Sequence, residues 1–199
     1  MDDAVPAGEG AMAAILGMES PNLQQVCEDV SATGVVAQLA NLNCPGQIVI
    51  SGTKEGVETA CTLAKERGAK RAIPLTVSGP FHSALMNPAA EKLASVIEKV
   101  ALNAPSIPVV SNVTSTLLED VQAIKQEMVD KVSSPVQWEQ NVRTLIDLGV
   151  TVFIECGPGK VLSGLVKKID RNATVYCVYD VATIEQVVEA SKVWNTQWV

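Results

Sequence analysis

The apolar pattern changes period in a definite order between residues 9 and 78, and that order leaves few folds open. Ala11 to Gly17 is a short apolar run with the length of a buried strand. Ser20 offers an N-cap and Pro21 a first helical position, and Leu23, Val26, Cys27 and Val30 then recur at helical spacing until Gly34. Val35 to Leu42 returns to strand, Cys44-Pro45-Gly46 turns the chain, and Gln47 to Ser51 forms a second strand, so the pair reads as a hairpin. Thr53 can cap the next helix, whose apolar face is Val57, Ala60, Cys61 and Ala64. Gly68 ends it. Lys70 to Val77 reads as a last strand that Pro74 directs to a sheet edge.

The order β-α-β-β-α-β over residues 9–78 is the split βαβ pattern of a ferredoxin-like small subdomain. Aromatic residues make up only 4% of the chain, so its core must be filled by Val, Ile, Leu and Ala, as in layered α/β structures. The second half changes character. Asn87-Pro88 opens a helix with an apolar face of Leu93, Val96, Ile97 and Val100, and Pro108 to Val113 reads as a strand. Helices are predicted near Asp120 to Val132 and from Val136 to Asp147, where Gly149 stops the second. Val150 to Glu155 is a β-branched strand, and Gly157-Pro158-Gly159 turns into a helix from Lys160 to Ile169. Val175 to Val178 is a last strand, and Thr183 to Trp194 a last helix. Three strands with covering helices are few for a parallel sheet, so this half reads as incomplete by itself.

Charge and cysteine usage narrow the function classes. A formal net charge of -7 argues against nucleic acid as a partner. Lys65, Arg67, Lys70 and Arg71 are the densest basic group, and a solvated helix end is the expected reading rather than a docking patch. The five cysteines, Cys27, Cys44, Cys61, Cys156 and Cys177, form no C-x-x-C pair, and the single histidine has no partner at zinc spacing. No metal and no bound cofactor are expected. Reduced thiols in a cytoplasmic protein are the expectation. The acidic start Met1-Asp2-Asp3-Ala4 is not a signal peptide, and no apolar run approaches the ~18 residues that span a bilayer. Gly157-Pro158-Gly159 lacks the spacing of a phosphate-binding loop and reads as a tight strand-to-helix turn.

Val77-Ser78-Gly79-Pro80-Phe81-His82-Ser83 carries the main chemical signal, at a junction between a strand end and a helix start. Gly79 and Pro80 constrain the backbone, Phe81 supplies an apolar wall, and Ser83 a hydroxyl. Residues 79–93, GPFHSALMNPAAEKL, resemble the histidine motif of malonyl-CoA:acyl-carrier-protein transacylases. The run from Asn41 to Gly52 is similar to that family's N-x-N-x-P-G-Q-x-V-x-S-G segment. Gly68 to Arg71, Pro108 to Val113, Ser134 to Trp138 and Ile154 to Leu165 match further segments in the family's order. Each match is weak alone, and together they are strong.

The resemblance implies an α/β fold: the ferredoxin-like subdomain of residues 9–78, with residues 1–8 and 79–199 forming the C-terminal part of an α/β-hydrolase-like acyltransferase subdomain. It implies malonyl transfer from malonyl-CoA to the phosphopantetheine thiol of acyl carrier protein, in fatty-acid or polyketide synthesis, through an acyl-serine. By the same resemblance His82 is the general base and acid, and the backbone carbonyl near Lys131 orients it, at a position where the family commonly has glutamine. Phe81 matches a position that disfavours an α-methyl branch on the acyl group, and Ser83 and Asn43 are further candidates for substrate contact. The sequence contains no G-x-S-x-G. The family's nucleophilic serine and malonate-binding arginine are expected upstream of Met1, so the chain alone is expected to be inactive. A truncated transacylase, a split enzyme completed by a separate N-terminal polypeptide, and a non-catalytic carrier- or ligand-binding module with His82 as a relic all stay open. Neither a nucleic acid nor a membrane is an expected partner.

Overall fold

A computed structural model describes residues 4–6 and 8–194. Contacts divide the chain into two compact units, Met1–Thr144 and Leu145–Val199. The first unit begins with β1 (Gly10–Leu16), α1 (Ser20–Ser31), β2 (Ala37–Cys44), β3 (Gln47–Thr53), α2 (Lys54–Glu66) and β4 (Arg71–Pro74). The strands form one antiparallel sheet in the order β2-β3-β1-β4. Apolar alternation sets its register. Ala13 and Ile15 lie opposite Ile50 and Ile48, and Leu39 opposite Ile50. This face packs against Leu23, Val26, Cys27 and Val30 of α1 and Val57, Ala60 and Ala64 of α2.

Local chemistry explains most boundaries. Pro45 and Gly46 reverse the chain between β2 and β3, with Gly46 at φ +69°. The Thr53 hydroxyl accepts the Gly56 N–H at 3.1 Å and caps α2. The α1 start differs from expectation by one residue. Glu19 is the N-cap without a side-chain cap, and Ser20 and Pro21 already lie in the first turn. Pro74 does stand in an edge strand, β4.

Beyond β4 the first unit continues with a 3-10 turn (Ala84–Met86), α3 (Asn87–Ile97), α4 (Val121–Asp130) and α5 (Trp138–Asp147), the last running across the division between the units. Two expectations are corrected here. Pro108 to Val113 is not a sheet strand. Ser111 N–H donates to the Thr116 carbonyl and Leu118 N–H to that of Val109, so the segment folds back on itself around a single bridge, Val110 to Leu117. Pro105 and Pro108 bring no N–H to a ladder. The apolar face assigned to α3 is also only partly covered. Ala90 is buried and Leu93 and Ile97 are half-buried, but Val96 is 58% exposed and Val100 lies past the helix end.

The second unit holds β5 (Val152–Cys156), α6 (Val161–Ile169), β6 (Thr174–Val178) and α7 (Val181–Ser191). β5 and β6 pair in parallel, with Val152 opposite Thr174. The Glu155 carboxylate accepts the Leu162 N–H at 3.1 Å and the Ser163 N–H at 2.8 Å, which caps α6 from the strand before it. Asp180 and Thr183 form a capping box on α7. The Trp194 ring lies 5.5 Å from that of Tyr176, tilted by 44°, and the rest of the predicted tail lies outside the described residues. No helix among the described residues is long and apolar enough to cross a membrane.

Candidate active site

The histidine loop lies on the sheet face that α1 and α2 leave open. Met12, Ala40 and Val49 form a small apolar patch there, and Phe81 packs onto it. Phe81 also touches a second cluster, Met86, Ala90 and Val132, so its ring is wedged between sheet and helices. Pro80 is buried against Gly10, where a Cβ on residue 10 would lie 2.3 Å from the Pro80 Cδ. That close approach requires glycine at position 10. The Ser83 hydroxyl donates to the Pro80 carbonyl at 2.7 Å and closes the loop on itself. Ser83 is 0% exposed.

His82 sits at φ 59°, in the left-handed region, which costs a non-glycine residue of order 1–3 kcal/mol. Two carbonyls of one turn hold the ring. Its Nδ1 lies 2.9 Å from the Lys131 carbonyl oxygen and 3.2 Å from that of Ser134. A carbonyl has no proton to give, so the Nδ1–H must be the donor, and the neutral ring then carries its lone pair on Nε2. Lys131 is the C-cap of α4, and its carbonyl belongs to the set that a helix end leaves without intrahelical partners.

The turn that presents these carbonyls is itself anchored. The Val136 N–H donates to the Ala40 carbonyl at 2.8 Å, and the Leu42 N–H donates to the Val136 carbonyl at 2.9 Å. Residue 136 thereby pairs with the outer edge of β2. Behind it, Ser111 donates its hydroxyl to the Glu127 carboxylate, which also accepts the Asn112 N–H at 2.8 Å. The Asn112 carbonyl in turn accepts the Gln137 N–H at 2.9 Å, and the Ser115 hydroxyl lies 2.6 Å from the Asn141 side-chain amide. Ser111, Ser115 and Asn141 are all buried. This network ties α4, α5 and the 131–136 turn together from the inside.

Asn43 lies at a bulge near the end of β2, between Leu42 and Cys44, one residue past the Leu42 N–H that meets the Val136 carbonyl. Three contributors were missed by sequence reasoning. Gln38 accepts the Ala84 N–H at 2.8 Å, Glu127 holds α4, and Gly10 makes room for Pro80. Gln38 did carry a signal, as a polar residue inside the apolar run Val35 to Ala40. The basic group is partly committed: Arg67 pairs with Asp29 at 2.6 Å, and the Lys70 stem covers Gly17. Among the described residues, no three acidic, cysteine or histidine side chains are grouped to hold a metal ion.

Comparison with known proteins places the chain in a family. The acyl transferase domain matches residues 3–186. The chain belongs to the acyl transferase domain family. This acyl transferase chain is 55% identical over 195 residues to the malonyl CoA-acyl carrier protein transacylase of Bacillus subtilis, covering 98% of this chain and 62% of that protein. It is 44% identical over 189 residues to the Escherichia coli protein of the same name, covering 95% of this chain and 61% of the relative. Among solved structures, the acyl-carrier-protein S-malonyltransferase of Burkholderia pseudomallei superposes with a TM-score of 0.91 at 47% identity, over 95% of this chain and 61% of that one. A malonyl-transacylase solved in complex with its type II PKS acyl-carrier protein gives 0.92 at 41% identity, with the same coverage of 95% and 61%. The chain thus spans about three-fifths of the length of these relatives, 62% and 61% for the first two.

Proposed function

We propose that this acyl transferase chain serves malonyl transfer from coenzyme A to the phosphopantetheine thiol of an acyl carrier protein, in fatty-acid or polyketide synthesis, with His82 as general base and acid. The observation that carries the reading is the Nδ1–H of His82 held by the Lys131 and Ser134 carbonyls, which leaves Nε2 as the proton acceptor. In the first half-reaction Nε2 takes the proton of a serine hydroxyl as its oxygen attacks the malonyl thioester. The same proton then passes to the departing coenzyme A thiolate. In the second half-reaction the carrier thiol gives its proton to Nε2, attacks the seryl ester, and the serine oxygen recovers the proton. The two carbonyl oxygens support the imidazolium while it exists, in the role that a carboxylate has in a serine protease.

The 199 residues hold no G-x-S-x-G serine, so this reading assigns the nucleophile and the arginine for the malonyl carboxylate to polypeptide outside them. Phe81, wedged between two apolar clusters, is the wall that excludes an α-methyl branch, a discrimination of about 1–3 kcal/mol. Ser83, which closes the histidine loop, and Asn43, at the β2 bulge, are further candidates for substrate contact. The unit of residues 9–78 is read as a ferredoxin-like small subdomain, and residues 1–8 and 79–199 as part of the larger acyltransferase subdomain. Five reduced thiols support a cytoplasmic, reducing setting.

The test is a fusion of this chain to the part of the Bacillus subtilis relative that it does not match. His82→Ala in that fusion should lower malonyl transfer by about 10²–10⁴-fold. Transfer at an undiminished rate would make His82 a relic. The chain alone, incubated with malonyl-CoA, should show no malonyl adduct by intact mass, and a stable adduct would refute the assignment of the nucleophile.

A further inference from the structure

The two sides of the imidazole contact hang from one strand. On the acceptor side, Val136 is bonded to the backbone of β2 at Ala40 and Leu42. On the histidine side, the Ala84 N–H, two residues after His82, donates to the side-chain carbonyl of Gln38 at 2.8 Å. Gln38 precedes Ala40 by two positions on the same strand, about 7 Å. The other attachments of the loop are of a different kind. Pro80 rests against Gly10, Phe81 makes apolar contacts, and the Ser83 hydroxyl bonds within the loop. Apolar contacts resist compression but tolerate sliding, whereas a hydrogen bond to a strand side chain sets a height. Little slack is available. The contact from Nδ1 to the Ser134 carbonyl is already 3.2 Å, and such contacts cease to count as hydrogen bonds near 3.5 Å. His82 is also held at φ 59°, a conformation that relaxes once its restraints go.

We infer that Gln38 is a positioning residue for His82. Its side-chain carbonyl fixes the 80–86 loop above β2 so that Nδ1 meets both carbonyls of the 131–134 turn and the proton stays on Nδ1. The assignment rests on His82 being the acid/base group, but the contact it describes is readable without turnover. The chain has one histidine, so its imidazole nitrogens give unambiguous signals in the ¹⁵N-labelled protein.

The neutral wild-type ring should show the Nδ1–H tautomer with a slowly exchanging Nδ1 proton. Gln38→Met keeps the length and removes the acceptor. It should lose the Nδ1 proton resonance and shift the ring toward the Nε2–H tautomer. Gln38→Glu keeps an acceptor for the Ala84 N–H and should restore the wild-type signature. Should Gln38→Met fail to fold, Gln38→Ser, too short to reach Ala84, carries the same expectation. A folded Gln38→Met protein with the Nδ1–H signature intact would overturn the inference. So would a Gln38→Glu protein that loses it as fully as Gln38→Met. A wild-type ring found as the Nε2–H tautomer would instead sink the reading of His82 as the base, before any variant is made.

Discussion

At the scale of single residues, the site rests on a few atoms whose loss has distinct consequences. Two buried serines make the contrast. The Ser83 hydroxyl closes the histidine loop at 2.7 Å, whereas the equally buried Ser51 hydroxyl has no hydrogen-bond partner among the described residues. Ser83→Ala should therefore cost about 1 kcal/mol in urea unfolding, and Ser51→Ala should be neutral or slightly stabilising. Equal costs would mean that burial alone, not bonding, sets their contributions. Gly10 is a second sensitive position. A methyl group there would meet the Pro80 ring at 2.3 Å, so Gly10→Ala should destabilise by about 1–3 kcal/mol and shift the His82 ring signals. A variant as stable as wild type would show that the ring can step aside.

At the scale of elements, side chains remote from the imidazole hold the helices that serve it. Glu127 on α4 takes bonds from Ser111 and Asn112, four residues before the carbonyl that meets His82. Glu127→Ala should lower stability by about 2–3 kcal/mol, because it leaves a buried serine and a backbone N–H without their charged acceptor. A loss below ~0.5 kcal/mol would show that solvent replaces the carboxylate. In the second unit, Glu155 sits below the ordinary carboxylate range, chiefly through the Ser163 hydroxyl and then the backbone N–H groups of Ser163 and Leu162. A carboxyl with a depressed folded value supports α6 above its unfolded pKa. That support is lost as pH falls through the folded value. The Leu162 and Ser163 amide signals should thus shift on acidification below the ordinary carboxylate range. In Glu155→Gln that shift should vanish, and its persistence would place the titration elsewhere. The elements differed in how legible they were. Strands and helices before residue 78 announce themselves by period, because one sheet face and two helix faces share a single apolar core. Pro108 to Val113 has the composition of a strand, but bonds to Thr116 and Glu127 bend it into a local turn. The apolar residues of α3 keep helical spacing without a surface that covers Val96.

At the scale of the whole molecule, the five thiols sample its packing. Burial, with Cys61 and Glu28 nearby, pushes the Cys27 thiol up to about 12, and Cys44 is also buried, while Cys156 is exposed. A thiol reagent at neutral pH should modify Cys156 in the native protein and reach Cys27 and Cys44 only as fast as the first unit opens. Peptide mapping after brief labelling checks this, and early modification of Cys27 would contradict the α1–sheet core. The histidine loop was legible in the chain because its glycine, proline and phenylalanine are consecutive. The partners of Gln38 and Glu127 were not, since each acts across the fold: Gln38 stands out as a polar residue in an apolar run, but Ala84 lies 46 positions away and no local pattern selects that pair.

The attachment of both Ala84 and Val136 to β2 has a mechanical consequence. A displacement of that strand carries the proton donor and its acceptors in the same direction, so their separation rejects common-mode motion. Only differential movement, of α4 against the sheet or within the loop, changes the distance from imidazole to carbonyl. A rigid displacement of β2 therefore leaves the distance from Nδ1 to its acceptors unchanged.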